Sequence, residues 1–280
     1  MIVIRRRDTG EQLVEVDSDT LVGASLAGTA MLYADLPGAS LEKSDLRSAD
    51  LCNADLRGTS FADADLTGAD LTLATAVRAD FRRALLSDAR LQAINLAEPG
   101  DSETNFADGD LTRIVLKNSN LSGGRFANCI MHRADLTHCR MTGADLRGAQ
   151  LTGADLSFAD LRGADLSYSG LQNASFDGAD LTDANLCEAD LTYASFNGAQ
   201  LTGANFERAR LSKTSFARVT GLHRARALAS VRWGDGSSID LHTLRESVAA
   251  LADDTLVHLG LEATEIPALR MLFGAMPVTP

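Results

Sequence analysis

The sequence predicts an all-β solenoid: a chain that turns a corner every five residues and stacks on itself, closed by a small helical module. Two observations carry this. Counting in fives from Leu21 to Phe216 gives forty positions, of which 27 are Leu, 8 Phe and 3 Met, with only Ala76 and Asp101 as exceptions. A small residue, usually Ala, stands two places before each centre, as in Ala54-Asp55-Leu56 and Ala154-Asp155-Leu156. A period of five fits neither the 3.6-residue helix nor the two-residue strand alternation. It fits a coil whose large centre and small neighbour point inward while the other three residues face solvent and turn the corner. Asp, Asn and Ser fill the place before the centre, where short polar side chains can hydrogen-bond nearby backbone.

Phenylalanine spacing gives the length of one coil. Phe61 and Phe81 are 20 apart, as are Phe106 and Phe126, and Phe176, Phe196 and Phe216. Twenty residues are four repeats, so rings recur on one side of successive coils and the cross-section is square. Ten such coils, at about 4.8 Å each, make a rod roughly 48 Å long.

The A(D/N)LXX pattern resembles the pentapeptide-repeat family over about residues 19–218. The resemblance implies a right-handed, quadrilateral β-helix. Its ends need covers, because open coil edges invite further strand pairing. Residues 1–18 read as a β-hairpin cap, with Ile2-Val3-Ile4 and Leu13-Val14-Glu15-Val16 as its strands. Residues 219–280 read as a helical capping and dimerisation module. Ser238 is the expected cap of a helix carrying Leu241, Leu244, Val248 and Leu251 on one face, the candidate dimer surface. A short helix is expected near 254–259, ending at Gly260, and another from Thr264 to Phe273.

One stretch breaks the pattern. In register, Asp101 would enter the core, where an unpaired carboxylate is very costly. The preferred reading has five inserted residues bulging outward within 97–105, so that Phe106 takes the place Asp101 would have held. Glu98, Pro99, Gly100, Asp101, Ser102 and Glu103 then form a candidate partner-binding loop, since a regular scaffold carries specificity on its loops; the alternative is a neutral insertion.

Other chemistry is sparse. Cys129, His132, His138 and Cys139 resemble a zinc site in spacing. The repeat phase, however, puts both cysteines on inward positions of different sides and both histidines outward. Neither a nucleophile elbow nor a phosphate loop or dinucleotide fingerprint is present. No catalysis, metal or cofactor is expected.

The formal net charge is −12. This excludes a nucleic-acid binder that works by phosphate neutralisation and favours a protein partner with a basic surface. The acidity concentrates in residues 144–190, where Asp145, Asp155, Asp160, Asp165, Asp177, Asp180, Asp183, Glu188 and Asp190 face only Arg147 and Arg162. Over about 11 Å of rod the seven net charges approach the linear density of duplex DNA. Along residues 19–218, 27 acidic and 18 basic residues give about a third of that density, and the other reading is that most of these aspartates are corner residues bonded to backbone, used because the repeat wants them. Arg78, Arg82, Arg83 and Arg90 make a basic counter-patch. Several family members occupy the DNA groove of a type II topoisomerase such as DNA gyrase, often as homodimers, and protect it from antibiotics. The resemblance implies that function here, with a general interaction scaffold in signalling or stress response as the alternative. Four cysteines without paired spacing, no signal-peptide pattern and no long apolar run suggest a cytoplasmic protein away from membranes.

Overall fold

The computed structural model describes residues 1–96 and 104–273. Residue by residue, isolated parallel bridges join each position before a centre to its counterpart one coil on, from Ser25↔Asp45 through Asn205↔Arg226. The step is twenty residues over most of the rod, so each coil holds four repeats, here called its first to fourth sides. Leu21, Leu26, Met31 and Leu36 begin the four sides in order.

Backbone hydrogen bonds explain the repeat. Around Leu51 the centre N–H donates to Asp70 O at 2.7 Å and Asn53 N–H to Thr72 O at 3.0 Å, both one coil on. Ala54 N–H closes the turn onto Leu51 O at 3.1 Å, and Asp55 N–H reaches back to Ala34 O at 2.9 Å. Four of five N–H groups are thus satisfied by stacking and by the turn. The fifth, just after the centre, points outward and needs a side chain. Asp or Asn before the centre supplies it: Asp65 Oδ1 accepts from Thr67 N–H at 3.0 Å and Asn105 Oδ1 from Ala107 N–H at 3.0 Å. That use holds the residue before the centre against the wall. Asp55 is only 7% exposed, so this position is less open than the sequence pattern implies. The second residue after each centre has φ near +60°, as at Asn53 and Gly58, which fits a type II turn and its taste for Gly and Asn.

Inside, Leu, Phe and Ala fill a continuous core. Phe61, Phe81, Phe106 and Phe126 stack on the first side at 4.9, 4.7 and 4.9 Å between ring centres. Phe176, Phe196 and Phe216 stack on the third side at 4.9 and 5.4 Å.

At the amino end, β1 (Ile2–Arg5) and β2 (Gln12–Val16) pair antiparallel, with Ile4 buried and Arg7 N–H bonded to Tyr33 O at 2.9 Å. At the other end, β3 (Arg210–Leu211) and β4 (Ser215–Phe216) are followed by β5 (Arg232–Trp233) and β6 (Ser238–Ile239), which pair parallel with β3 and β4 respectively. Stacking therefore continues past Leu222, where the five-residue phase ends, because single inserted residues lengthen the coil without stopping its hydrogen bonds. Helices α1 (Leu241–Ser247), α2 (Asp253–His258) and α3 (Ile266–Phe273) follow. Asp240, rather than Ser238, caps α1, accepting from Thr243 N–H at 2.9 Å; Ser238 belongs to β6.

Candidate interaction surfaces

The nine acidic residues of 144–190 do not share one face. Asp145, Asp165 and Glu188 belong to the first side, Asp160, Asp180 and Asp183 to the fourth, Asp155 and Asp177 to the third, and Asp190 to the second. Six thus lie on two adjacent sides. Most carry a structural task as well. Asp155, Asp165, Asp180 and Asp190 each accept from the backbone N–H two residues on. Asp145 and Asp160 do the same and also grip Arg147 and Arg162 at 2.7 and 2.6 Å. These arginines hold both carboxyls below the ordinary carboxylate range, so the acids stay charged. Asp177 accepts from Ser195 Oγ and, at 3.0 Å, from Asn197 N–H. Glu188 meets Arg208 at 3.4 Å.

The basic counter-patch is also largely paired. Arg83 bonds Asp63 across one coil at 2.7 Å, Arg82 bonds Asp80 at 2.6 Å, and Arg90 lies 3.6 Å from Asp70.

Glu98, Pro99, Gly100, Asp101, Ser102 and Glu103 lie outside the described residues. Their flanks are informative. Across this stretch the bridges step by twenty-five residues, as in Asp80↔Asn105 and Asn95↔Asn120, and return to twenty at Asn105↔Arg125. Phe106 stacks directly on Phe81. Thr104 Oγ1 donates to Leu96 O at 2.7 Å. Elsewhere the same contact spans three residues, as in Thr29 Oγ1 to Leu26 O at 2.7 Å.

The pentapeptide-repeat family model matches eight times, over residues 21–58, 64–98, 129–167 and 170–208. The chain belongs to the pentapeptide-repeat family. Among solved structures it is similar to HetL, a pentapeptide-repeat protein involved in heterocyst differentiation regulation from the cyanobacterium Nostoc sp. strain PCC 7120, with 28% identity over 79% of this chain and 90% of that one and a TM-score of 0.40. A thylakoid-lumen pentapeptide-repeat protein of Arabidopsis thaliana shares 34% identity over 36% of this chain and 66% of that one, with a TM-score of 0.29. The plasmid-mediated fluoroquinolone resistance protein QnrB1 shares 18% identity over 85% and 99%, with a TM-score of 0.39. No curated protein matches.

In this pentapeptide-repeat rod the four Cys and His residues of the zinc-like spacing do not meet. Cys129 Sγ donates to Phe106 O at 2.8 Å and Cys139 Sγ to Leu116 O at 2.9 Å, each inside the core. Burial pushes both thiols up to about 12. His138 faces outward and stacks on Phe158 at 5.0 Å. No group of three or more metal-ligating side chains gathers among the described residues. Nor is any helix among them long and apolar enough to cross a membrane.

The candidate dimer surface requires correction. Leu244, Val248 and Leu251 are buried within this chain at 7%, 0% and 4% exposure, and only Leu241, at 66%, faces solvent. The helix ends at Ser247, and Val248 and Leu251 turn back into the carboxy-terminal core. The apolar stripe is consumed by packing against its own chain and leaves one leucine for any partner.

Proposed function

We propose that this pentapeptide-repeat protein is a non-catalytic rod, right-handed and four-sided, that binds a basic protein surface. We propose further that this surface is the DNA groove of a type II topoisomerase such as DNA gyrase, which the rod protects or inhibits. The observation that carries the reading is the grouping of Asp145, Asp165, Glu188, Asp160, Asp180 and Asp183 on two adjacent sides within little more than two coils. Four of these carboxylates, Asp145, Asp160, Asp165 and Asp180, are held by backbone N–H groups, and at a coil spacing of about 4.8 Å they lose little conformational freedom on docking. QnrB1 is a plasmid-mediated fluoroquinolone resistance protein; a protective role is proposed here for the acidic sides and for residues 98–103. The helical module at 219–280 then serves as the cap of the carboxy end.

The alternative is an interaction scaffold for an unrelated partner. It is favoured by the local pairing of Asp145 with Arg147 and Asp160 with Arg162, which neutralises part of the acidic surface. A gyrase supercoiling assay with and without a quinolone separates the two. Protection from quinolone-induced cleavage supports the topoisomerase reading; absence of both protection and inhibition at micromolar protein leaves the scaffold.

A further inference from the structure

Residues 208–232 run against the rest of the chain. They hold Arg208, Arg210, Lys213, Arg218, Arg224, Arg226 and Arg232 and not one acidic residue, in a chain of net charge −12. The end of the rod is a positive collar, and its second side carries a cleft. The cleft has a volume of about 370 Å³ and is lined by Thr192, Arg210, Ser212, Arg232, Trp233 and Gly234.

Parallel pairing of β3 with β5 sets Arg232 directly beyond Arg210, one coil spacing away. Like charges opposed in register are destabilising. Little offsets them here. Arg210 reaches Asp190 at 3.6 Å, a carboxylate already accepting from Thr192 Oγ1 at 2.6 Å and Gln172 Nε2 at 3.0 Å. Arg232 is exposed and has no ion pair among the described residues. Behind the arginines the wall is tightly built. Gly234 N–H donates to Leu211 O at 2.6 Å, and a Cβ at Gly234 would come within 2.5 Å of Ser212, so only glycine fits. Trp233 is half-buried and stacks on His258 at 5.8 Å, which fixes one flank.

We propose that this cleft binds a phosphate monoester or inorganic phosphate, bridged between the Arg210 and Arg232 guanidinium groups. A carboxylate is satisfied by one arginine fork, whereas a tetrahedral dianion has oxygens for two. The surrounding collar adds a field that draws anions to this end of an otherwise acidic molecule. The acidic sides and this cleft are different surfaces, so phosphate binding here stands or falls apart from the topoisomerase reading.

Trp233 is the only tryptophan, so its fluorescence reports on the cleft directly. Full-length protein is titrated with inorganic phosphate against sodium chloride of equal ionic strength, then with acetate, then with O-phosphoserine as competitor. The expected result is a saturable change with phosphate that acetate does not reproduce. Arg232→Ala and Arg210→Gln each weaken it by about tenfold or more, the scale of a lost charge-assisted bond. Arg133→Ala, which removes an exposed arginine one coil beyond Arg113 and outside the cleft, leaves it unchanged. Competition by O-phosphoserine marks a monoester-bearing partner as the ligand; titration by phosphate alone marks the free ion. A change matched by chloride or acetate, or one that survives both cleft substitutions, overturns the proposal. Unchanged circular dichroism of the variants separates lost binding from lost folding.

Discussion

Truncating Phe106 probes the stack where the coil is five residues longer. Its ring is fully buried and lies between Phe81 at 4.7 Å and Phe126 at 4.9 Å. Phe106→Ala removes the transfer energy of a large side chain and leaves a cavity, together about 3–5 kcal/mol. Both faces of the ring are stacked, and each such pair is worth about 0.5–1.5 kcal/mol beyond its area, so the upper half of that range is expected. Neighbouring rings cannot slide in, because each centre is tied to its coil by backbone bonds such as Phe106 N–H to Arg125 O at 2.7 Å. Phe106→Leu restores the residue most other centres carry and should cost only about 1–1.5 kcal/mol. Urea unfolding followed by far-ultraviolet circular dichroism measures both. With a slope near 2 kcal/mol/M, the alanine variant loses about 2 M in midpoint. A smaller slope would mean that the rod now unfolds in two sections at the weakened coil. A loss below about 1.5 kcal/mol for alanine, or equal losses for alanine and leucine, would refute the assignment of Phe106 to a continuous stack.

Other consequences are as open to measurement. Deleting residues 98–102 should leave the melting temperature within a few degrees of the parent, because Leu96 and Thr104 are already joined across the corner; a collapse of folding would contradict this. Asp135→Ala uncovers Thr137 N–H and should cost about 1 kcal/mol in chemical denaturation, with Asp135→Asn recovering most of it. Asp55, Asp145 and Asp160 have folded-state pKa values lowered first by hydrogen bonds from Arg57, Arg147 and Arg162. Their stabilisation is therefore complete above the unfolded value near 4 and is lost as pH falls through the lowered ones; thermal melts should be flat from about pH 7 to 5 and drop below about 4. Cys129 and Cys139, with burial raising both thiols to about 12, should resist alkylation at about pH 8 until the protein is denatured.

The rod was legible because its physics repeats. A wrong phase at any centre would bury a corner residue, so 38 of the forty positions from Leu21 to Phe216 are Leu, Phe or Met. The preference for Asp and Asn before the centre was visible too, but its reason, one outward N–H per repeat, needed the hydrogen bonds. What escaped was angular. Counting charges along residues 144–190 gives a density per unit length and says nothing about which side each carboxylate occupies. The leucines of α1 have helical spacing, but spacing marks an apolar face without saying what covers it, and here the chain covers most of it itself. The Arg210–Arg232 pair was hidden because the two stand 22 residues apart, two more than the coil period, after extra residues had erased the count.

The longer coil between Asp80 and Asn105 says something about how such a molecule can change. The five extra residues between Leu96 and Thr104 leave the register of the following coils unchanged: the bridges return to a step of twenty, and Phe106 stands over Phe81 as Phe81 stands over Phe61. A corner is thus a place where length can be spent without disturbing the pattern of charges presented farther along. New contact surface can be acquired there and lost again, while the ruler on which every other residue is spaced keeps its marks.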